Sequence, residues 1–223
     1  MSDIPETQDW AQDAEQRVLD EALKLVGDTG WTQRTAVRAG KAAGLSAADV
    51  ELLLPNGPAD LAALFCRRHD ARALAGLAAA GVDPTALKIR ERIRAGLEAR
   101  IDAAMRDETA VRRWAGWLAL PQNLPLAGRL AWDSADALWR WAGDAAVDEN
   151  HYTKRAILAG VLTGATAVRL QSGRAAAMDF VDRRIDNVMA FETWKATTRL
   201  NPQAALHAAA AALGKLRYGR TPS

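Results

Sequence analysis

Apolar residues in this chain recur every three or four positions and almost never alternate. Ile89, Ile93, Leu97, Ile101 and Met105 step by four through an arginine-rich segment, and Val18, Leu19, Ala22, Leu23 and Val26 share one face of an earlier one. That spacing belongs to amphipathic helices, whereas a half-buried strand alternates. Alanine, leucine and arginine dominate the composition and favour the same backbone, so the fold class is all-α. At 223 residues, 49% hydrophobic and 25% charged, the chain can bury a sizeable core. No segment approaches the ~20 uninterrupted apolar residues that would span a bilayer. The single cysteine, Cys66, excludes an intrachain disulfide framework. The acidic start MSDIPETQDW has neither a basic n-region nor an apolar h-region, which points to the reducing cytoplasm.

Gly, Pro, Asn and Ser punctuate the sequence into about ten helices. They are expected over about 11–28, two short helices in TQRTAVRAGKAAGL and SAADVELLLP with Ser46 as N-cap, then about 58–79, 86–107, 109–120, 125–143, 150–171, 174–199 and 202–217. Four regions follow: a disordered start at 1–10, a degenerate helix-turn-helix at 11–57, a helical bundle at 58–200, and an amphipathic membrane-facing helix and tail at 201–223.

A long helix followed by a helix-turn-helix and a larger bundle is the order of TetR-type regulators, so sequence-specific DNA binding is one reading. The second short helix, however, carries Asp49 and Glu51 and no base. Carboxylates facing phosphates are repelled, and no Arg, Asn or Gln stands there to read a base edge. Nucleic acid is therefore not expected as a partner. Arg34, Arg38 and Lys41 line the preceding helix, a pattern that is ordinarily a solvated face. The other charge asymmetry lies at the carboxyl end, where Lys195, Arg199, Lys215, Arg217 and Arg220 meet no acid after Glu192. Such an end suits an anionic surface.

Catalytic patterns are sparse. His69, His151 and His207 fall on three different predicted helices, and there is no HExxH, CxxC, P-loop or G-x-S-x-G. Cys66 and His69 are three apart on one helix, which permits a thiol–base pair, but the ordinary reading is a half-buried thiol beside a surface histidine. No catalytic residue and no metal ligand is expected, and the chain reads as a binding protein rather than an enzyme.

Five of the eight tryptophans, at 114, 117, 132, 139 and 141, crowd into one region. Trp132, Ala135 and Trp139 share about 60° of helical arc, as a core stripe should. Trp139 and Trp141 lie roughly 200° apart and cannot enter one core. Leu138 and Trp141 are therefore expected to lean outward as an exposed anchor. In the last predicted helix Leu206, Ala209, Ala210, Leu213 and Leu216 line one side, with Lys215 opposite and Arg217 intruding near its end.

The segments ALKLVGDTGWTQRTAVRAGKAAGLS, LLPNGPADL, LPQNLPLAGRLAWDSADALWRWAGDAAVDENHYTKRAILAGVL and RRIDNVMAFE resemble the coenzyme Q (ubiquinone) biosynthesis accessory protein family, over about residues 15–218. The pattern WAGD-x3-D-x-N-x-YTKRAILAGV is its most specific part. The resemblance implies a TetR-like fold, no enzymatic activity, a homodimer, and an apolar pocket for an isoprenoid or a quinone intermediate. It also implies a peripheral site on the cytoplasmic face of the inner membrane, reached through the final helix, with Leu206, Ala210, Leu213, Lys215, Leu216 and Arg217 at the lipid. The implied partner is a demethoxyubiquinone hydroxylase-type enzyme, docking on Leu138, Trp141, His151 and Tyr152 with Asp136 and Asp144 as polar rim or helix-end charges. No cofactor beyond the bound lipid is implied.

Overall fold

A computed structural model describes residues 4–144 and 149–197, with side chains described for 10–144 and 151–190. Among the described residues there are helices and turns and no strand, as the periodicity requires. In chain order the helices are α1 (Ile4–Thr29), α2 (Gln33–Ala42), α3 (Ala47–Leu53), α4 (Pro58–Ala79), α5 (Ile89–Met105), α6 (Glu108–Leu118), α7 (Leu124–Trp141) and α8 (Glu149–Thr197). Short 3-10 turns at Pro84–Ala86 and Pro121–Asn123 lead into α5 and α7. The helix expected at 202–217 lies outside the described residues.

Local chemistry accounts for the boundaries. Thr32 accepts the Thr35 N–H at 3.2 Å to start α2, and Ser46 and Asp49 cap α3 reciprocally, each satisfying a backbone N–H of the other. Gly173, at φ 85° and ψ −177°, breaks α8 where the sequence places a stop, because only glycine takes that conformation without strain. Beyond the break the chain turns back, so that a Cβ on Gly164 would stand 2.8 Å from the Phe180 ring.

The described residues fall into two units, one ending at Asp182 and one beginning at Arg183. In the first, α1, α2, α4 and α6 enclose a core centred on Trp31 and Phe65, whose rings lie 5.1 Å apart. Val18, Leu19, Ala22 and Val26 of α1 are buried in it, as their spacing demands. The α5 stripe behaves differently. Leu97 and Ile101 are fully buried, but Ile89 is 42% exposed. Each step of four residues advances about 40° round a helix, so a stripe of five residues so spaced drifts off the core at its ends. In the second unit, residues 183–197 are helical.

Polar side chains tie the elements together. Arg100 of α5 is almost wholly buried and donates to Asp70 of α4 and, at 3.4 Å each, to Cys66 Sγ and to Ser134 of α7. Arg94 and Arg174 link α5 to the segment of α8 after the break, through Asp182 and through Glu98 and Asp102.

Candidate functional site: the α7–α8 clamp

The end of α7 is built by the sequence Trp-Ala-Gly-Asp. Gly143 takes φ 86°, the left-handed conformation that stops the helix, and its N–H bonds to the Arg140 carbonyl while the Asp144 N–H reaches the Trp139 carbonyl at 3.0 Å. This is a Schellman ending. Arg92 of α5 adds a guanidinium at 2.8 Å from the Ala142 carbonyl, placing a cation at the negative end of the helix. The turn delivers Asp144 towards the first turns of α8.

There Arg155 is buried, 1% exposed, between two carboxylates. Its Nε donates to Asp136 at 2.6 Å, and one terminal nitrogen donates to Asp144 at 3.1 Å and to the His151 carbonyl at 3.3 Å. Each acid holds a second cation: Arg140 at 2.7 Å on Asp136 and Lys154 at 2.9 Å on Asp144. Burial alone would raise the Asp144 carboxyl, but hydrogen bonds from Lys154 and Arg155 outweigh it and hold the group below the usual carboxylate range. A buried arginine is tolerated when paired and hydrogen-bonded in this way.

The tryptophans divide between the two flanks of α7. Trp139 faces α8, donating its indole N–H to the Lys154 carbonyl at 3.1 Å, with the Lys154 ammonium 5.5 Å from its ring centre. Trp132 stands 6.0 Å from the Tyr152 ring on the same flank. Trp141 faces α5, where the Cβ position of Gly96 would be 3.6 Å from its ring and 3.3 Å from Leu138. The second apolar partner that the Trp139–Trp141 spacing calls for is thus a glycine-lined notch in α5.

Three expectations are corrected here. Leu138, expected outward, is only 3% exposed. The buried line of α7 runs through Ser134, Ala135, Leu138 and Ala142, displaced from the bulky tryptophans because small residues allow the closest helix approach. Trp141 is half-buried rather than an exposed anchor. Asp136 and Asp144 are the jaws of the clamp, not a solvent-facing rim. His151 is half-buried, with its ring 5.3 Å from that of Tyr152. Tyr152 itself is 65% exposed, and Ile157 one and a half turns on is 37% exposed. Leu206, Ala210, Leu213, Lys215, Leu216 and Arg217 lie outside the described residues.

Arg155 is a functional residue that periodicity and motif spacing do not single out. Its signal in the sequence is a cation set directly against the apolar run AILAGVL, where a charge without a partner is costly.

The Cys66–His69 pair is also corrected. Both side chains are interior, at 2% and 0% exposure. The thiol lies at 3.4 Å from both the Ser134 hydroxyl and the Arg100 guanidinium, and burial pushes its pKa up. The imidazole packs edge-on against Phe65, and burial pulls its pKa down to about 4. A protonated thiol sealed from solvent is not an activated nucleophile. Among the described residues no cluster of His, Cys, Asp and Glu has the makings of a metal site. A cleft of about 710 Å³ between α1 and α4 is lined by charged side chains, Asp13, Glu15, Arg67 and Arg68 among them, together with Leu64 and Ala71.

Fold and clamp define an all-α protein organised round a charge-locked pair of helices. Residues 124–192, which contain that pair, match the COQ9 family. The chain is 28% identical over 80% of its length to the mitochondrial ubiquinone biosynthesis protein COQ9 of Xenopus tropicalis, covering 59% of that protein. It is 29% identical to the Rattus norvegicus protein of the same name, over 78% of this chain and 58% of the other. To that of Homo sapiens it is 26% identical, over 78% and 57%. The chain spans less than two thirds of the length of these curated relatives. These similarities agree with the resemblance drawn from the sequence, in the COQ9 match over residues 124–192 and in the likeness of most of the chain to proteins named for ubiquinone biosynthesis. No helix among the described residues is long and apolar enough to cross a membrane.

Proposed function

We propose that this chain serves ubiquinone biosynthesis as a non-catalytic accessory factor. It holds an isoprenoid or quinone intermediate and presents it to a demethoxyubiquinone hydroxylase-type enzyme at the cytoplasmic face of the inner membrane. Similarity to proteins named for ubiquinone biosynthesis, greatest in kind at the α7–α8 pair, supports the pathway. The physical need is plain: a quinone with a long tail partitions out of water, so its handling calls for an apolar shelter and a membrane-facing attachment. The homodimer, the bound lipid and attachment through residues 206–217 belong to this reading.

The observation that carries the docking surface is the exposure of Tyr152 on a helix end locked by a buried arginine. An aromatic held rigidly in water loses little conformational freedom on binding, which suits a hot spot. The partner surface is therefore assigned to Tyr152 with Ile157, and Trp132 and Trp139 of α7 back this end of α8. A TetR-type regulator is disfavoured, because α3 turns Asp49 to its own cap and exposes Glu51 and Leu52.

A strain lacking the protein should lose quinone and accumulate a demethoxy precursor, and solvent extraction of the purified protein should yield a prenyl or acyl lipid. Tyr152→Ala with Ile157→Ala should leave folding intact and abolish co-purification of the hydroxylase. Unchanged quinone in the deletion strain would overturn the role. A reproducibly lipid-free protein would overturn the carrier function.

A further inference from the structure

One face of α2 is left without a partner by everything described so far. Arg34, Val37, Arg38 and Lys41 fall within about 100° of helical arc, opposite the buried Thr35, Ala36, Ala39 and Gly40 that seat α2 on the core. All four are exposed, Val37 by 51%. There is no acid anywhere between Asp28 and Asp49, so no carboxylate stands three or four residues from any of the three cations. None of the three makes an ion pair among the described residues. Several other arginines, Arg94, Arg112, Arg140 and Arg174, each lie against a carboxylate, whereas the α2 cations stand together on one face with none.

Several acids of neighbouring helices are engaged elsewhere, and the exposed Asp28 and Glu51 make no ion pair with the α2 cations. Asp20 holds Arg68 at 2.6 Å, Glu21 holds Lys24 at 2.6 Å, and Asp49 is turned into the cap of α3. The face is therefore an uncompensated cationic strip with an apolar side chain at its centre.

We propose that the α2 face docks on an anionic phospholipid surface, with Arg34, Arg38 and Lys41 at the headgroup phosphates and Val37 reaching between them. Charge complementarity selects the occupant's sign, and the central valine selects a membrane over a polynucleotide. Cations flanking an apolar residue match the depth profile of a lipid interface. Nucleic acid would need the adjoining α3 to enter a groove, and α3 offers a carboxylate at Glu51 and an isobutyl group at Leu52, 73% exposed. This contact does not rest on the accessory role proposed above and adds a second attachment to any made by the carboxyl-terminal residues.

The test is co-sedimentation of the full chain with phosphatidylcholine vesicles, with and without about a third phosphatidylglycerol. Each cation near such a surface contributes roughly fivefold in partitioning, so Arg34→Gln/Arg38→Gln/Lys41→Gln should weaken binding to the anionic vesicles on the order of a hundredfold at low salt. The difference should vanish at about 0.5 M salt. A charge-matched control, Arg106→Gln/Arg113→Gln/Arg129→Gln, removes three exposed cations from outside α2 and should change binding less than about threefold if the contact is local. Far-ultraviolet circular dichroism melts would confirm that both variants fold. The proposal is overturned if the chain does not prefer anionic vesicles, if both triple variants lose binding equally, or if the α2 variant loses none. It is overturned in favour of nucleic acid if the α2 variant loses duplex DNA binding while vesicle binding stays intact.

Discussion

Replacing Arg155 by methionine removes the cation at the centre of the clamp while keeping much of its volume. Two carboxylates are then left at sites 19% and 9% exposed. Removing one partner of a buried pair costs about 3–5 kcal/mol, chiefly because the remaining charge stays desolvated. The low end applies here, since Asp136 retains Arg140, which is largely exposed, and Asp144 retains Lys154. A loss of about 3 kcal/mol corresponds to roughly 6–12 °C in Tm for a domain of this size. The loss should also depend on pH. Asp144 titrates below its ordinary value in the folded protein, so its contribution is full above about pH 4 and falls as pH drops through the folded value. In the variant that contribution is already reduced, so the gap between the two proteins should narrow below about pH 4. Urea denaturation of both proteins at pH 7 and near pH 3.5 measures this. Asp144→Asn in the Arg155→Met background should recover part of the stability, because it removes an unpaired charge. A loss under about 1 kcal/mol at pH 7, or a gap that widens on acidification, would refute the clamp as the device that fixes α8.

His69→Leu should change stability at pH 7 by less than about 1 kcal/mol, since neither ring nitrogen has a hydrogen-bond partner to lose, and urea titration would show it. The wild type should lose up to roughly 3 kcal/mol between pH 6.5 and about 4, where the unfolded histidine binds a proton and the folded one does not; the variant should lack this slope. Cys66 should react with a thiol reagent only at the rate of opening, becoming fast in denaturant, and rapid labelling of native protein would contradict its burial. Gly96→Val should destabilise by about 1–3 kcal/mol through overpacking against Leu138 and Trp141, measured by thermal melt, with Gly96→Ala markedly milder.

The helical segments were legible in the sequence because their signals are local. α4 runs from Pro58 to Ala79 as its flanking turn residues require, Ser46 caps α3, and Gly173 breaks α8 where the Ser-Gly pair stands. The site was legible only in outline. WAGD and YTKR stood out as a pair and matched a family pattern, yet which of their side chains would be buried depended on a helix fifty residues earlier in the chain.

The sequence by itself determined that the chain is helical, where its helices start and stop, and that Trp139 and Trp141 must serve different neighbours. Each of these follows from backbone geometry, capping and a 100° turn per residue. Only the tertiary structure decided that Leu138 is core, that Asp136 of α7 and Asp144 of the turn after it grip Arg155, and that Tyr152 is left in water. Burial is set by which faces approach most closely. That depends on small residues such as Gly96 and Ala135 on partner helices, which a periodicity weighted by bulk does not register.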